Sequence, residues 1–248
     1  MAKTIYKRTG LVAWTRPLMG WLCCLVLALS AISSSGWASG PETAIEPSDV
    51  RRIEARIKRL AGTGRDKWLK PDQVLSVLQL SPGQIVADIG SGPGYFSLRF
   101  ARAVGPTGRV YSVDTEPYFL AELERSAEEE GLKNISTILV NPDKSSPPPG
   151  AFDLVFFSSA YHHIKDRAGY LQQLRTQLNP GARIAIIGKS KIHSIESGRN
   201  PEGKMSPRAR KGLDPEQVVR ELDQAGFVIS ARPEFIEGSF FLIATSWN

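Results

Sequence analysis

Apolar and polar residues alternate in two recurring patterns from residue 68 onward. Short, nearly continuous apolar runs predict buried strands, whereas apolar residues spaced three or four positions apart predict amphipathic helices. The predicted strands are 85–89, 110–113, 135–140, 154–158, 183–187, 227–235 and 240–246, and the predicted helices are 48–60, 72–80, 95–104, 117–130, 166–178 and 215–225. This alternation predicts an α/β fold with a mostly parallel sheet and helices on both faces. Because no helix separates the last two strands, we expect them to form an antiparallel hairpin.

The first 38 residues have the pattern of a targeting segment. A basic start precedes an apolar run over 18–32, and the small residues Gly36 and Ala38 suit cleavage after Ala38. The run is shorter than the roughly 20 residues of a membrane span, so a cleaved signal is favoured over an uncleaved anchor. We therefore expect the protein to be exported, to the periplasm or the outside of the cell, or to be anchored in a membrane.

The domain division follows from this segment. Residues 1–38 are the signal or anchor, residues 39–67 are a linker with an amphipathic helix, and residues 68–248 form one domain. Both cysteines, Cys23 and Cys24, lie in the apolar run, so the mature protein would contain no thiol. The helix at 48–60 has one apolar stripe and a basic opposite face, which is typical of a docked helix and also of a helix on an anionic membrane surface.

The net charge of +6 arises mostly from the targeting segment. That segment carries four basic residues and no acidic one, which leaves 27 basic and 25 acidic residues in the remainder. A body so close to neutral gives no sign of a nucleic-acid-binding protein.

A glycine-rich loop follows the first strand of the domain. Asp88 ends the strand, and Gly90, Gly92 and Gly94 alternate in the loop that leads into the next helix. Twenty residues later the second strand ends in Asp114, which is placed to accept hydrogen bonds from the hydroxyls of a ribose. A strand, a glycine loop, a helix, a strand and an acid in this order predict a site for a ligand that contains a nucleoside.

These residues resemble the cofactor motif of the class I S-adenosylmethionine-dependent methyltransferases. The similarity runs from about Trp68 to the C-terminus and is closest to the small-molecule branch that includes the ubiquinone/menaquinone-biosynthesis type. In that branch a strand such as 152–157 leads into a histidine-containing segment, here Tyr161-His162-His163-Ile164. The resemblance implies a Rossmann-like, seven-stranded sheet and transfer of a methyl group to a small-molecule or lipid-like acceptor.

The resemblance also implies roles for individual residues. The candidate cofactor-binding residues are Asp88, Gly90, Gly92, Gly94 and Asp114. The glycine loop would meet the methionine part of S-adenosylmethionine, and Asp114 would meet its ribose. Asp143, which follows the third strand, is the candidate for the adenine amino group. The segment before the first strand closes over the cofactor in related enzymes, so Trp68 is a candidate wall of the pocket, although ordinary packing explains it equally well.

Two other functions remain open from the sequence. A nicotinamide-dependent oxidoreductase would need the spacing G-x-G-x-x-G, and Tyr95 occupies the position of its third glycine. An exported, non-catalytic nucleoside-binding protein could keep the same fold. The fourth strand is followed by Ser158-Ser159-Ala160 rather than an Asn-Pro-Pro-Tyr motif, which argues against enzymes that methylate amino groups of DNA or glutamine of proteins.

Tyr161, His162 and His163 are the candidate catalytic residues because they follow the fourth strand at the carboxyl edge of the sheet. A histidine there suits a general base or a group that positions the acceptor, whereas the alternative is a purely structural role in the loop. We expect no metal site, since adjacent histidines on a strand point apart and His193 is the only other histidine.

The connection 188–212 is long and rich in lysine and arginine. Seven basic residues stand there against two acidic ones: Lys189, Lys191, Arg199, Lys204, Arg208, Arg210 and Lys211 against Glu196 and Glu202. This composition favours either a basic lid over an anionic or amphipathic acceptor or a solvated loop.

Overall fold

The structure, a computed structural model, describes residues 47–142, 146–191 and 212–246. The helices are α1 Pro47–Ala61, α2 Asp66–Leu69, α3 Pro71–Leu78, α4 Ser97–Val104, α5 Pro117–Glu129, α6 Arg167–Arg175 and α7 Pro215–Gln224. The strands are β1 Ile85–Ile89, β2 Arg109–Asp114, β3 Ile135–Leu139, β4 Phe152–Ser158, β5 Leu178–Lys189, β6 Phe227–Ala231 and β7 Ser239–Ser246. There are also two 3-10 turns in the described ranges: Thr63–Arg65 between α1 and α2, and Tyr161–His163 between β4 and α6.

The strands form one seven-stranded sheet in the order β3-β2-β1-β4-β5-β7-β6. Strands β1 to β5 pair in parallel, whereas β7 is antiparallel to both β5 and β6. The predicted Rossmann-like sheet with an antiparallel C-terminal pair is therefore confirmed. The strand order reverses between β1 and β4, and ligands of open α/β sheets bind at such a point, beyond the carboxyl ends of the strands.

The core has one layer on each face of the sheet because parallel strands are buried on both sides. Val86 of β1 belongs to the cluster under α3 and α4, and its neighbour Ala87 belongs to the cluster under α6 and α7. Phe100 of α4 and Leu171 of α6 are each fully buried in these layers. The two clusters hold the sheet rigid, so the loops at its carboxyl edge have a fixed base.

Several boundaries differ from the prediction. The predicted helix 166–178 ends at Arg175 and the predicted strand 227–235 ends at Ala231, and two further differences have local causes. The helix after the glycine loop begins at Ser97 rather than at residue 95, because the loop keeps its turns through Phe96. Asn179-Pro180-Gly181 falls between the predicted helix 166–178 and the predicted strand 183–187, but it lies within β5 as a bulge, since Leu178 pairs with Phe152 and Arg183 pairs with Leu154. The Asn179 amide donates to Asp153 Oδ1 over 2.8 Å and ties this bulge to β4.

Helix α1 contacts the domain through its Arg56 side chain. The Arg56 guanidinium lies 3.4 Å from Glu116 Oε2 and 4.8 Å from the centroid of the Phe119 ring. Ile53 and Ile57 of the predicted apolar stripe are half-buried, whereas Val50 is exposed. These contacts support docking of the helix on the domain. Within the described ranges, no helix has both the length and the apolar character to cross a membrane.

Candidate active site

The glycine-rich loop after β1 is the first part of the site. Gly92 and Gly94 have positive φ, at +56° and +89°. A Cβ on Gly94 would lie 2.2 Å from Leu123 Cδ1, so this glycine lets the loop pack closely against α5. A Cβ on Gly92 would meet no atom within 4 Å. The loop is therefore tightly packed at Gly94 and open to a ligand at Gly92.

Asp114, at the end of β2, is joined to the glycine loop by a hydrogen bond. Its Oδ2 accepts from the Gly92 N–H over 2.7 Å. Its Oδ1 accepts from the N–H groups of Thr115 and Glu116 over 2.8 Å and 3.0 Å. The structure thus brings together the two features that the sequence placed 22 residues apart. A carboxylate offers about four acceptor positions, so this one keeps capacity for a ligand hydroxyl.

Asp88, the first residue of the Asp88-Gly90-Gly92-Gly94 motif, carries a buried carboxyl at the end of β1, just before the loop. It is 2% exposed, and its Oδ2 accepts from the Ser97 hydroxyl over 2.6 Å. Burial raises the pKa of Asp88 from 3.8 to about 7, and the nearby Asp114 carboxylate acts in the same direction. The Ser97 hydroxyl and the Arg65 guanidinium oppose that rise in pKa. Asp88 is therefore poised between its neutral and charged forms near neutral pH.

We expect the free energy of unfolding to fall as pH rises through the range in which Asp88 ionises. The unfolded carboxyl has a pKa near 3.8 and the folded one near 7, so between these values the folded state binds a proton that the unfolded state has lost. This contribution is complete below pH 3.8, declines toward pH 7 and amounts to a loss on the order of 4 kcal/mol. Urea unfolding of the wild type and of Asp88→Asn across this range measures it. Equal pH slopes in the two proteins would contradict the assignment to Asp88.

Arg65 also lies beside the loop, although no sequence pattern singled it out. Its guanidinium carbon is 4.4 Å from the centroid of the Tyr95 ring and 5.8 Å from that of the Trp68 ring. Trp68 is 38% exposed, and its contact with this group of side chains is the one with the Arg65 guanidinium. The available signal was a basic residue at the start of the segment that the resemblance expects to close over the cofactor.

Tyr161 is directed away from the loop toward α7. It is 1% exposed, and its hydroxyl donates to Glu221 Oε2 over 2.9 Å. Arg167 donates to both oxygens of the same carboxylate, over 2.8 Å and 2.7 Å. Burial raises the pKa of the Tyr161 phenol, and the Glu221 carboxylate raises it further. The phenol is therefore held in its protonated form, with its hydrogen bond directed to Glu221.

The two adjacent histidines differ in their surroundings. Both lie on the 3-10 turn rather than on a strand, and their ring centroids are 3.9 Å apart, so the expectation that they point apart is wrong. His162 lines a cavity of about 220 Å³ at the ends of β4 and β5, whereas His163 is exposed and outside its lining. Lys189, Ile187 and Leu213 form other parts of the wall. In the described ranges, no three histidine, cysteine or acidic side chains cluster as metal ligands would.

Several predicted residues lie outside the described ranges. They are Asp143, His193 and most of the basic connection, residues 192–211, together with the targeting segment at 1–38. Their roles stay predictions.

Comparison with known proteins decides which class of fold carries this site. Residues 86–181 match the family model described as a methyltransferase domain. The aklanonic acid methyltransferase DauC of Streptomyces sp. (strain C5) is 35% identical over 104 residues, which cover 42% of this chain and 47% of that protein. Residues 86–181 are thus similar to a methyltransferase domain. A ubiquinone/menaquinone biosynthesis C-methyltransferase, UbiE of Hydrogenovibrio crunogenus, is 28% identical over 46% of this chain and 45% of its own length.

The fold also occurs in solved structures. The crystal structure of a SAM-dependent methyltransferase from Aquifex aeolicus matches with a TM-score of 0.65 at 24% identity, covering 77% of this chain and 96% of that one. This match shows the fold, and the matches to the family model and to DauC support the predicted class, an S-adenosylmethionine-dependent methyltransferase, and its cofactor. The chain spans about half the length of the curated relatives it matches.

The residues at the glycine loop fit S-adenosylmethionine, the cofactor of these similar proteins. Open space at Gly92 leaves room for the ligand at the loop, and the Asp114 carboxylate is held beside it with acceptor capacity remaining. The assignment of individual residues to the ribose, the methionine part and the adenine stays a prediction.

Proposed function

We propose that the protein transfers a methyl group from S-adenosylmethionine to a small-molecule acceptor that binds in the cavity beside His162. The single observation that carries this proposal is the position of the cavity at the carboxyl ends of β4 and β5, where the segment that lines it also packs against the glycine loop after β1. Its volume of about 220 Å³ suits a small organic molecule or one end of a lipid-like one. The relatives named above act on small molecules by their names, which supports the same class here.

The cavity and the glycine loop adjoin through Ala160. A Cβ placed on Gly90 would lie 2.4 Å from the Ala160 Cβ, so the segment after β4 packs directly against the loop. Ser159, one residue earlier, lines the cavity and has a φ of +58°. A left-handed serine is costly and marks a sharp turn there. That turn places the cavity wall one residue from the contact between Ala160 and Gly90 of the glycine loop.

The chain's part in the reaction is to bind, orient and exclude water. S-adenosylmethionine supplies a methyl group on a positively charged sulfur, which is a good leaving group. The apolar wall at Ile187 and Leu213 would hold the acceptor out of water, and alignment of the two reactants is the main source of rate enhancement. His162 would accept the acceptor's proton when the methylated atom carries one.

The hydrogen bonds of Tyr161 suit it to hold His162 in place. Glu221 on α7 accepts from Tyr161 and from Arg167, the first residue of α6, and thus ties the 3-10 turn to both helices. The Tyr161 ring also lies 5.6 Å from the Phe157 ring in the core. Tyr161 also lines the cavity, but its hydroxyl is directed to Glu221. We therefore propose that Tyr161 is a positioning residue and that His162 is the residue that meets the acceptor.

The proposal is tested by measuring transfer of a labelled methyl group to a panel of phenols, quinols and carboxylic acids. We expect His162→Gln to lower kcat about 100-fold, which is typical for the loss of a general base. Its affinity for S-adenosylhomocysteine should remain that of the wild type, because His162 lines the acceptor cavity and not the glycine loop.

His163→Gln is the matched control, since His163 is adjacent, exposed and outside the cavity lining. It should keep wild-type turnover. Equal losses in the two variants would contradict the assignment to His162. Binding of S-adenosylhomocysteine without transfer to any acceptor would instead support the non-catalytic binding protein considered from the sequence.

The cellular location of the protein is part of the same proposal. We propose an exported or membrane-anchored protein on the pattern of residues 1–38, and membrane association through α1 or the segment before it. N-terminal sequencing of the mature protein after cell fractionation tests both. A start at residue 39 in a soluble fraction would favour cleavage, and a start at residue 1 in the membrane fraction would favour the anchor.

A further inference from the structure

The Arg65 guanidinium is a half-buried cation without a counterion in the described part of the chain. It donates one hydrogen bond, from Nη1 to the Leu60 carbonyl oxygen over 2.8 Å, and forms no ion pair with a described carboxylate. A guanidinium has five N–H donors, and burial of a charge is costly unless the charge is paired. Burial lowers the pKa of Arg65, and the nearby Tyr95 and Asp88 offset that fall only in part.

The nearest acid along the chain does not neutralise Arg65. Asp66 Oδ1 accepts from the Tyr95 hydroxyl over 2.5 Å and pairs with Arg99 over 3.3 Å. Arg99 and Arg65 both lie over the Tyr95 ring, at 4.3 Å and 4.4 Å from its centroid. Two similar cations thus flank one ring, and of the two only Arg99 has a carboxylate partner within the described ranges.

The Arg65 guanidinium is held close to the glycine loop by its contact with Tyr95. Tyr95, on which it packs, directly follows Gly94 of the glycine loop. The positive charge of Arg65 lowers the pKa of Asp88, the buried carboxyl that precedes the same loop. Asp114, at the end of the neighbouring strand β2, accepts a hydrogen bond from Gly92 of the same loop. A ligand in the open space at Gly92 would therefore have the Asp114 carboxylate beside it and, near Tyr95, a guanidinium that has no ion-pair partner among the described residues.

We propose that Arg65 binds the carboxylate of the amino-acid end of S-adenosylmethionine, an inference that rests on the proposed function. A planar guanidinium matches a carboxylate with two parallel hydrogen bonds, and such charge-assisted pairs are about twice as strong as neutral ones. The cofactor's single carboxylate lies at the end remote from its adenine. Pairing with it supplies the counterion that the described chain does not provide.

The test compares two ligands that differ only at that end. S-adenosylhomocysteine carries the amino-acid carboxylate, whereas 5′-methylthioadenosine keeps the nucleoside and the sulfur and lacks it. We expect Arg65→Gln to weaken S-adenosylhomocysteine binding by about 10- to 100-fold in calorimetry of the full chain. Binding of 5′-methylthioadenosine should change by less than about threefold. Retained binding of the shorter ligand also shows that the variant is folded.

Arg99→Gln is the matched control, because Arg99 packs on the same ring and already has Asp66 as its partner. It should affect the two ligands equally. An equal loss of both ligands in Arg65→Gln, or no loss of either, would overturn the inference while leaving the proposed function intact. Failure of the wild type to bind either ligand would overturn the proposed function together with the inference.

Discussion

Asp114→Ala is expected to weaken binding of S-adenosylhomocysteine by at least about 100-fold. The substitution removes the acceptor for the N–H groups of Gly92, Thr115 and Glu116, which lie 2.7 Å, 2.8 Å and 3.0 Å from its oxygens. It also removes the proposed acceptor for the ribose. Each hydrogen bond to a charged group contributes about 1.5–3 kcal/mol, so the loss of the ribose contact and of loop order together exceeds one such bond. Isothermal calorimetry with S-adenosylhomocysteine, and with NAD as a second ligand, measures the change.

Asp153→Ala is the control for a general effect of removing a carboxylate. Asp153 lies at the start of β4, at the opposite edge of the sheet, and accepts from the Ile85 N–H over 2.7 Å and from Asn179. We expect it to lower stability and to leave ligand affinity unchanged. If Asp114→Ala binds as tightly as the wild type, Asp114 is not part of the nucleoside site.

Gly94→Ala is expected to lower the free energy of unfolding by about 3 kcal/mol. Its Cβ would lie 2.2 Å from Leu123 Cδ1 and 3.2 Å from Leu123 Cγ. Leu123 is fully buried on α5, so it has little room to move away. The φ of +89° adds strain that any residue with a Cβ would experience. Urea unfolding measures the loss.

Gly92→Ala separates the effect on packing from the effect on the ligand. Its φ is +56° and its Cβ would meet no atom within 4 Å, so we expect a cost of only about 1–2 kcal/mol from the left-handed conformation. The same Cβ enters the space proposed for the ligand, and affinity for S-adenosylhomocysteine should fall by at least about tenfold. Wild-type affinity in Gly92→Ala would show that the ligand does not pass this position.

The order of the elements and the contact between the glycine loop and Asp114 were predictable from local sequence patterns. Apolar runs and helical periods place β1 to β5 correctly, because parallel strands buried on both faces are nearly continuous in their apolar character. The meeting of Gly92 and Asp114 follows from the same reasoning, since the carboxyl ends of neighbouring parallel strands share one edge of the sheet.

Contacts set by tertiary packing were not predictable in the same way. The placement of Arg65 over the Tyr95 ring depends on how the short elements before β1 fold against the loop, and no periodic pattern encodes that. The different surroundings of His162 and His163 depend on the 3-10 turn, whereas the sequence favoured a strand-like segment. The bulge in β5 was not predicted, because Asn179-Pro180-Gly181 is a combination of residues that usually forms a separate turn.

The position of β7 between β5 and β6 affects how the chain reaches its folded state. One edge of β5 has no partner strand until residues 239–246 have been synthesised. The reason is that β6, which is made earlier, pairs with β7 and not with β5. An unpaired strand edge is prone to pair with other chains. A growing or shortened chain that stops before Ser239 would therefore present β5 to its neighbours, so aggregation during synthesis is the hazard that this topology carries.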